Sequence, residues 1–159
     1  MGMTAKNLPQ KSGLEVRKEL LLEKPLPQVF EFFVDFGRWW PMLSHSLGRE
    51  TSGGVCFPPE AGLAITERLA DRSQALWGKV LAFERPSKLV FTWHPGRPAT
   101  EATEVEISFR AEGEGKTRVL LVHRGWEILA GEPVNWRQEY DKGWEFVLCE
   151  CFAGHCQKL

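Results

Sequence analysis

The chain has 159 residues, enough for one domain that buries about 70% of the surface its unfolded form would expose. Its net charge is −1. With no basic block the electrostatic footprint of a nucleic-acid binder is missing, and no apolar run approaches the roughly 20 residues of a membrane span. The outlying feature is aromatic: seven Trp and ten Phe point to a large core or to an apolar cavity lined by flat side chains.

Residues 1–13 carry Pro, Gly, Lys and Gln without periodicity and are expected to form a loose leader. No apolar segment follows a basic one there, so no secretory signal is read. Lys6 stands where a myristoylation signal needs Ser or Thr. The expected location is the cytoplasm. From Leu14 to Glu23 the sequence alternates, with Val16, Leu20 and Leu22 on one face and Arg17, Glu19 and Glu23 on the other, which predicts a strand with one solvated side. Pro25 and Pro27 suit a first helical turn, and Leu26, Val29, Phe30, Phe33 and Val34 form the stripe of a helix that Gly37 stops. Trp39 and Trp40 follow as a short helical turn or a tight loop. Two adjacent Trp beside Pro41 are not expected to face the same core, so at least one should lie at a rim or opening.

Glycines and prolines break residues 44–62, where only Val55 to Phe57 reads as a short strand. Beyond them the strands are plain: Leu63 to Leu69, Ala75 to Phe83, Leu89 to Trp93, Glu104 to Arg110 and Thr117 to Arg124. Turns at Asp71-Arg72-Ser73, at Arg85-Pro86-Ser87 and at Glu112 to Gly115 join several of them as hairpins. Gly115-Lys116-Thr117 resembles the end of a phosphate-binding loop, but Arg110 stands where that loop needs Gly and a strand follows, so it reads as a turn. From Gly131 to His155 helical spacing puts Trp136, Tyr140, Trp144, Val147, Leu148, Cys151, Phe152 and His155 on one stripe. The whole predicts one α+β domain over 14–159, with a curved antiparallel sheet wrapped around a long C-terminal helix. Function is then to be sought between that helix and that sheet.

Cys149, Cys151 and Cys156 lie on this helix without a spacing that closes on one metal, so no metal site or disulfide framework is expected. Cys151 reads as core, and Cys149 and Cys156 as accessible thiols. No pair of the four histidines has metal-motif spacing, and no catalytic elbow or dinucleotide fingerprint occurs. No cofactor is expected. Strand parity places His123 beside Val119 and Leu121 on the covered face, either as a hydrogen-bonded structural histidine or as a ligand contact. Glu67 shares a face with Leu63, Ile65 and Leu69. A carboxylate there must be paired or carry a raised pKa, unless a local bulge turns it outward, the plainer of the two readings. The candidate ligand-binding residues are Trp40, Glu67, Trp77, Trp93, His123, Trp126, Tyr140 and Trp144. None is singled out as catalytic, although Glu67 and His123 would be the acid–base pair if they faced one space.

Several stretches resemble a known family. Trp77-Gly78-Lys79-Val80 through Pro86 to Leu89-Val90-Phe91-Thr92-Trp93 looks like the central hairpin of the heat-shock-protein-90 ATPase activator homologue family. Val29-Phe30 and Trp40-Pro41 precede it. Thr103-Glu104-Val105, Thr117-Arg118-Val119, His123-Arg124-Gly125-Trp126 and Tyr140-Asp141-Lys142-Gly143-Trp144 follow in the family's order. The resemblance runs from about Glu15 to Phe152. It implies the START-like (SRPBCC) helix-grip fold and a deep, mostly apolar cavity between helix and sheet. Superfamily members carry lipids, sterols or polyketides, cyclise polyketides or feed oxygenases. Where the family usually has a basic residue and paired glycines, this chain has Phe57-Pro58-Pro59-Glu60-Ala61-Gly62, so the cavity mouth is expected to differ. The resemblance thus implies binding of a small hydrophobic or aromatic molecule. The alternatives are a cyclase- or hydrolase-type enzyme and a chaperone-associated partner. The last is the weakest, since eukaryotic activators add an N-terminal domain for which this chain leaves no room. An unpaired sheet edge would also admit a homodimer or a protein partner.

Overall fold

The computed structural model describes residues 14–158, so the expected leader at 1–13 lies outside the described residues. Seven strands form one antiparallel sheet in the order β1-β7-β6-β5-β4-β3-β2. They are β1 Val16–Leu22, β2 Val55–Cys56, β3 Ala64–Arg68, β4 Gln74–Glu84, β5 Lys88–Trp93, β6 Thr103–Ala111 and β7 Thr117–Arg124. The alternation that predicts them is the alternation of burial. In β6, Thr103, Val105, Ile107 and Phe109 are buried and the residues between them are not. The first strand closes the far edge by pairing with the last, Val16 opposite His123 and Leu22 opposite Thr117. This long-range pairing brings β1 onto the strand that leads into the C-terminal helix.

Helix α1 (Leu26–Val34) opens with Pro27 in its first turn and buries Val29, Phe30 and Phe33. A 3₁₀ turn over Phe36–Arg38 follows it. Both tryptophans after that turn are buried in the same core, contrary to the expectation that they diverge. The backbone at Trp39 (φ −123, ψ −15) is not extended, so the two indoles do not alternate. They sit 5.7 Å apart on one side of the chain. Trp39 packs against Phe152 of the C-terminal helix, while Trp40 reaches the opening described below.

The C-terminal helix is one rod of 26 residues in three parts: α2 Pro133–Trp144, a π-helical segment Glu145–Phe152, and α3 Ala153–Lys158. A π turn takes more residues than an α turn, so the buried stripe slips after Trp144 and continues through Val147, Leu148, Phe152, Ala153 and Cys156. That slip corrects the thiols: Cys156, expected to be accessible, is buried, while Cys151 is only partly covered. Burial pushes the Cys156 thiol up to about 12, which makes it an inert core residue. Where β4 passes the Thr92 carbonyl of β5, Gly78 is obligatory. A Cβ there would lie 1.8 Å from the Thr92 carbonyl oxygen.

Candidate functional site

A partly open cavity of about 370 Å³ lies between α2, the end of β5 and the loop after Trp40. Its walls are mostly aromatic. Trp40 comes from the turn after α1, Trp93 from the last position of β5, and Trp136, Tyr140 and Trp144 from successive turns of α2. The i, i+4, i+8 spacing of the last three puts them on one helical face. Trp144 and Val147 flank the start of the π segment, and both line the cavity. The indoles of Trp40 and Trp93 meet at 5.6 Å and 62°, and each lies 6.0 Å from that of Trp144.

Of the residues singled out in the sequence, Trp40, Trp93, Tyr140 and Trp144 line this cavity. Glu67, Trp77, His123 and Trp126 do not. They are buried behind its walls and hold them in place. His123 is fully buried on the covered face of β7, where strand parity puts it. The Trp144 indole N–H donates to its Nδ1 at 2.9 Å, which fixes the neutral tautomer with the proton on Nε2. That proton faces Thr103 Oγ1 at 2.6 Å, and the Thr103 hydroxyl donates in turn to the Trp93 carbonyl at 3.0 Å. A directional chain thus runs from the helix through β7 and β6 to β5. Burial, then the charges of Arg97 and Arg124, hold the His123 pKa well below the ordinary imidazole value. With both nitrogens engaged and the ring neutral, His123 has no free lone pair or proton for a ligand.

Glu67 is also fully buried, so the outward-turning bulge expected for it is corrected. A bulge exists, but it falls on the partner strand. Pairing steps from Ile65–Gly78 to Thr66–Leu76, leaving Trp77 as the extra residue of β4 and the alternation of β3 intact. Glu67 Oε1 accepts from the Leu47 N–H at 2.9 Å and the Trp77 indole N–H at 3.2 Å, and Oε2 accepts from the Gly48 N–H at 2.9 Å. Burial pushes its pKa up. The hydrogen bonds from Gly48, Leu47 and Trp77, with the Ser52 hydroxyl nearby, outweigh burial, and the net direction is down. Glu67 is therefore an ionised carboxylate serving as the anchor of the loop over the cavity mouth.

Sequence reasoning missed His45, Leu47, Trp136 and Glu139 as lining residues. His45 sits in the anchored loop, with its carbonyl accepting from the Trp40 indole at 2.7 Å, its Nδ1 2.7 Å from Ser44 Oγ and its ring stacked on Phe146 at 5.3 Å. Burial and then Arg49 lower its pKa, so it is neutral at pH 7. Trp136 was legible in the helical stripe itself. The loop residues carried no local signal, because bonds from β3 twenty residues away place them. At the far wall the Arg97 guanidinium donates to the Tyr140 hydroxyl at 2.9 Å and lies 5.6 Å from the Trp136 ring centre. Among the described residues no group of three or more His, Cys, Asp or Glu could hold a metal ion, and no helix is long and apolar enough to cross a membrane.

A helix-grip sheet, an aromatic cavity under its C-terminal helix and the motif order above describe one family, and its model, activator of Hsp90 ATPase homolog 1-like protein, matches residues 25–153. The chain belongs to this family. No curated protein matches it. Among solved structures, an anthrahydroquino-γ-pyrone synthase, Txn09, in complex with SUM is 26% identical. The match covers 89% of this chain and 96% of that one, with a TM-score of 0.58. The Bacillus halodurans protein BH1534 is 22% identical, with 89% and 96% covered and a TM-score of 0.64. DynU16, from the dynemicin biosynthetic locus, is 17% identical with a TM-score of 0.59. That match covers 91% of this chain but 46% of DynU16. These two likenesses speak to the fold, which this member of the Hsp90-activator-homologue family shares.

Proposed function

We propose that the protein binds a small, largely apolar aromatic molecule in the cavity between its C-terminal helix and its sheet. The observation that carries this function is the wall of five aromatic residues, Trp40, Trp93, Trp136, Tyr140 and Trp144, around about 370 Å³. That volume lies in the range of about 300–1,000 Å³ usual for small-molecule sites. Each ring offers a planar ligand roughly 0.5–1.5 kcal/mol beyond simple burial when it stacks or meets it edge-on. The rings are also pre-ordered, since the Trp40 and Trp144 indoles spend their N–H groups on His45 and His123.

An enzymatic function of cyclase type draws support from Txn09, described as a synthase. In this chain it would fall to His45 and Glu139, the titratable cavity-lining side chains besides Tyr140, and not to His123 or Glu67, whose polar atoms are engaged. A chaperone-associated role rests on the family description alone. Native mass spectrometry of freshly purified protein tests ligand binding. A mass excess that disappears on denaturation is expected. If the protein carries no excess mass and no aromatic compound alters its tryptophan fluorescence, the cavity is not a binding site.

A further inference from the structure

Six of the seven indoles direct their N–H to an acceptor: Trp39 to Phe33 O, Trp40 to His45 O, Trp77 to Glu67, Trp126 to Leu14 O, Trp136 to Ala130 O and Trp144 to His123. Trp93 is the exception, because its N–H has no acceptor among the described residues. Trp93 is only 3% exposed, yet no fully buried side-chain nitrogen or oxygen among the described residues lacks a partner. The Trp93 N–H therefore borders accessible space, and the space Trp93 borders is the cavity. Tyr140 repeats the pattern. Its oxygen accepts from Arg97, so its own proton must be donated elsewhere, and no acceptor for it lies among the described residues.

We propose that the Trp93 indole N–H, together with the Tyr140 hydroxyl, is the specificity-determining donor of the cavity, and that the ligand is a planar aromatic molecule carrying a carbonyl oxygen. This rests on the ligand-binding function above and narrows its chemistry. The donor is held rigidly. The Trp93 ring touches those of Trp40, Trp77 and Phe91 at 5.5–5.6 Å, and its main-chain carbonyl accepts from Thr103 and Arg97. A fixed donor in an aromatic recess rewards an acceptor placed before it. It also penalises a purely apolar ligand, which strips its water and returns no bond.

The test compares 9-fluorenone with fluorene, two planar molecules of nearly the same shape that differ in one carbonyl, by equilibrium dialysis. Wild-type protein is expected to bind fluorenone about tenfold more tightly, and Trp93→Phe and Tyr140→Phe are each expected to shrink that ratio. If Trp93→Phe fails to fold, the wild-type protein still answers. The Trp93 indole proton resonance should move downfield with fluorenone and stay near its free position with fluorene. Equal affinities with no selective shift would overturn the donor's role and leave ligand binding standing. Failure of both compounds to bind would overturn both.

Discussion

Replacing Glu67 by Gln tests how the cavity mouth is built. The substitution preserves shape and removes the charge. The carboxylate accepts three bonds, from Leu47 and Trp77 on one oxygen and from Gly48 on the other. An amide can keep its oxygen at only one of these positions and must set its NH₂ against a donor at the other. At least one bond to a charged group is lost, worth about 1.5–3 kcal/mol, and the desolvation cost of the charge is relieved in part. The expected net loss is about 2 kcal/mol, or roughly 4–8 °C in Tm for a domain of this size. Urea unfolding should show a lower midpoint with an unchanged slope. Amide exchange at Leu47 and Gly48 should accelerate more than exchange in β6 and β7, because the loop loosens before the sheet does. A variant as stable as wild type, with both amides equally protected, would refute the anchoring role.

Trp144→Phe removes the donor to His123 Nδ1 while leaving a ring in the cavity wall. A buried acceptor without a partner costs about 1–3 kcal/mol, readable by urea unfolding. A loss below about 0.5 kcal/mol would mean the bond contributes nothing. The His123 pKa is depressed in the folded state, so below the ordinary imidazole value the unfolded chain binds the extra proton. Stability is then complete above about pH 6.5 and falls by about 1.4 kcal/mol per pH unit as the pH drops below it, until the lowered folded value is reached. His123→Gln should flatten the profile between pH 6.5 and 5, and an unchanged slope would assign the effect to other groups.

Much of the fold could be read from alternation and helical spacing, because each strand of the main sheet has one covered face and the helix one buried stripe. His123 was legible by the same parity. Its partners Thr103 and Trp144 were not, since they come from other elements. The inward face of Glu67 follows from strand parity, but it hinges on which strand carries the bulge, and backbone pairing decides that. The π segment has no residue signature, so a straight helical stripe misplaces Cys156, which is buried, and overstates the burial of Cys151, which packs only partly against the core. The mouth was the least legible part. Leu47 and Gly48 are pinned by a carboxylate of β3, and no local pattern in a Ser- and Gly-rich loop announces such a contact.

Gly143 offers the most direct test of ligand binding. It lines the cavity, and a Cβ built on it meets no atom within 4 Å, so a large side chain can enter without displacing the core. Replacing a mid-helix glycine by phenylalanine also favours the helix, by about 0.5 kcal/mol. Gly143→Phe is therefore expected to keep or raise Tm while abolishing the binding of an aromatic probe such as 9-fluorenone in equilibrium dialysis. A folded Gly143→Phe protein that binds the probe as wild type does would contradict the cavity as the site.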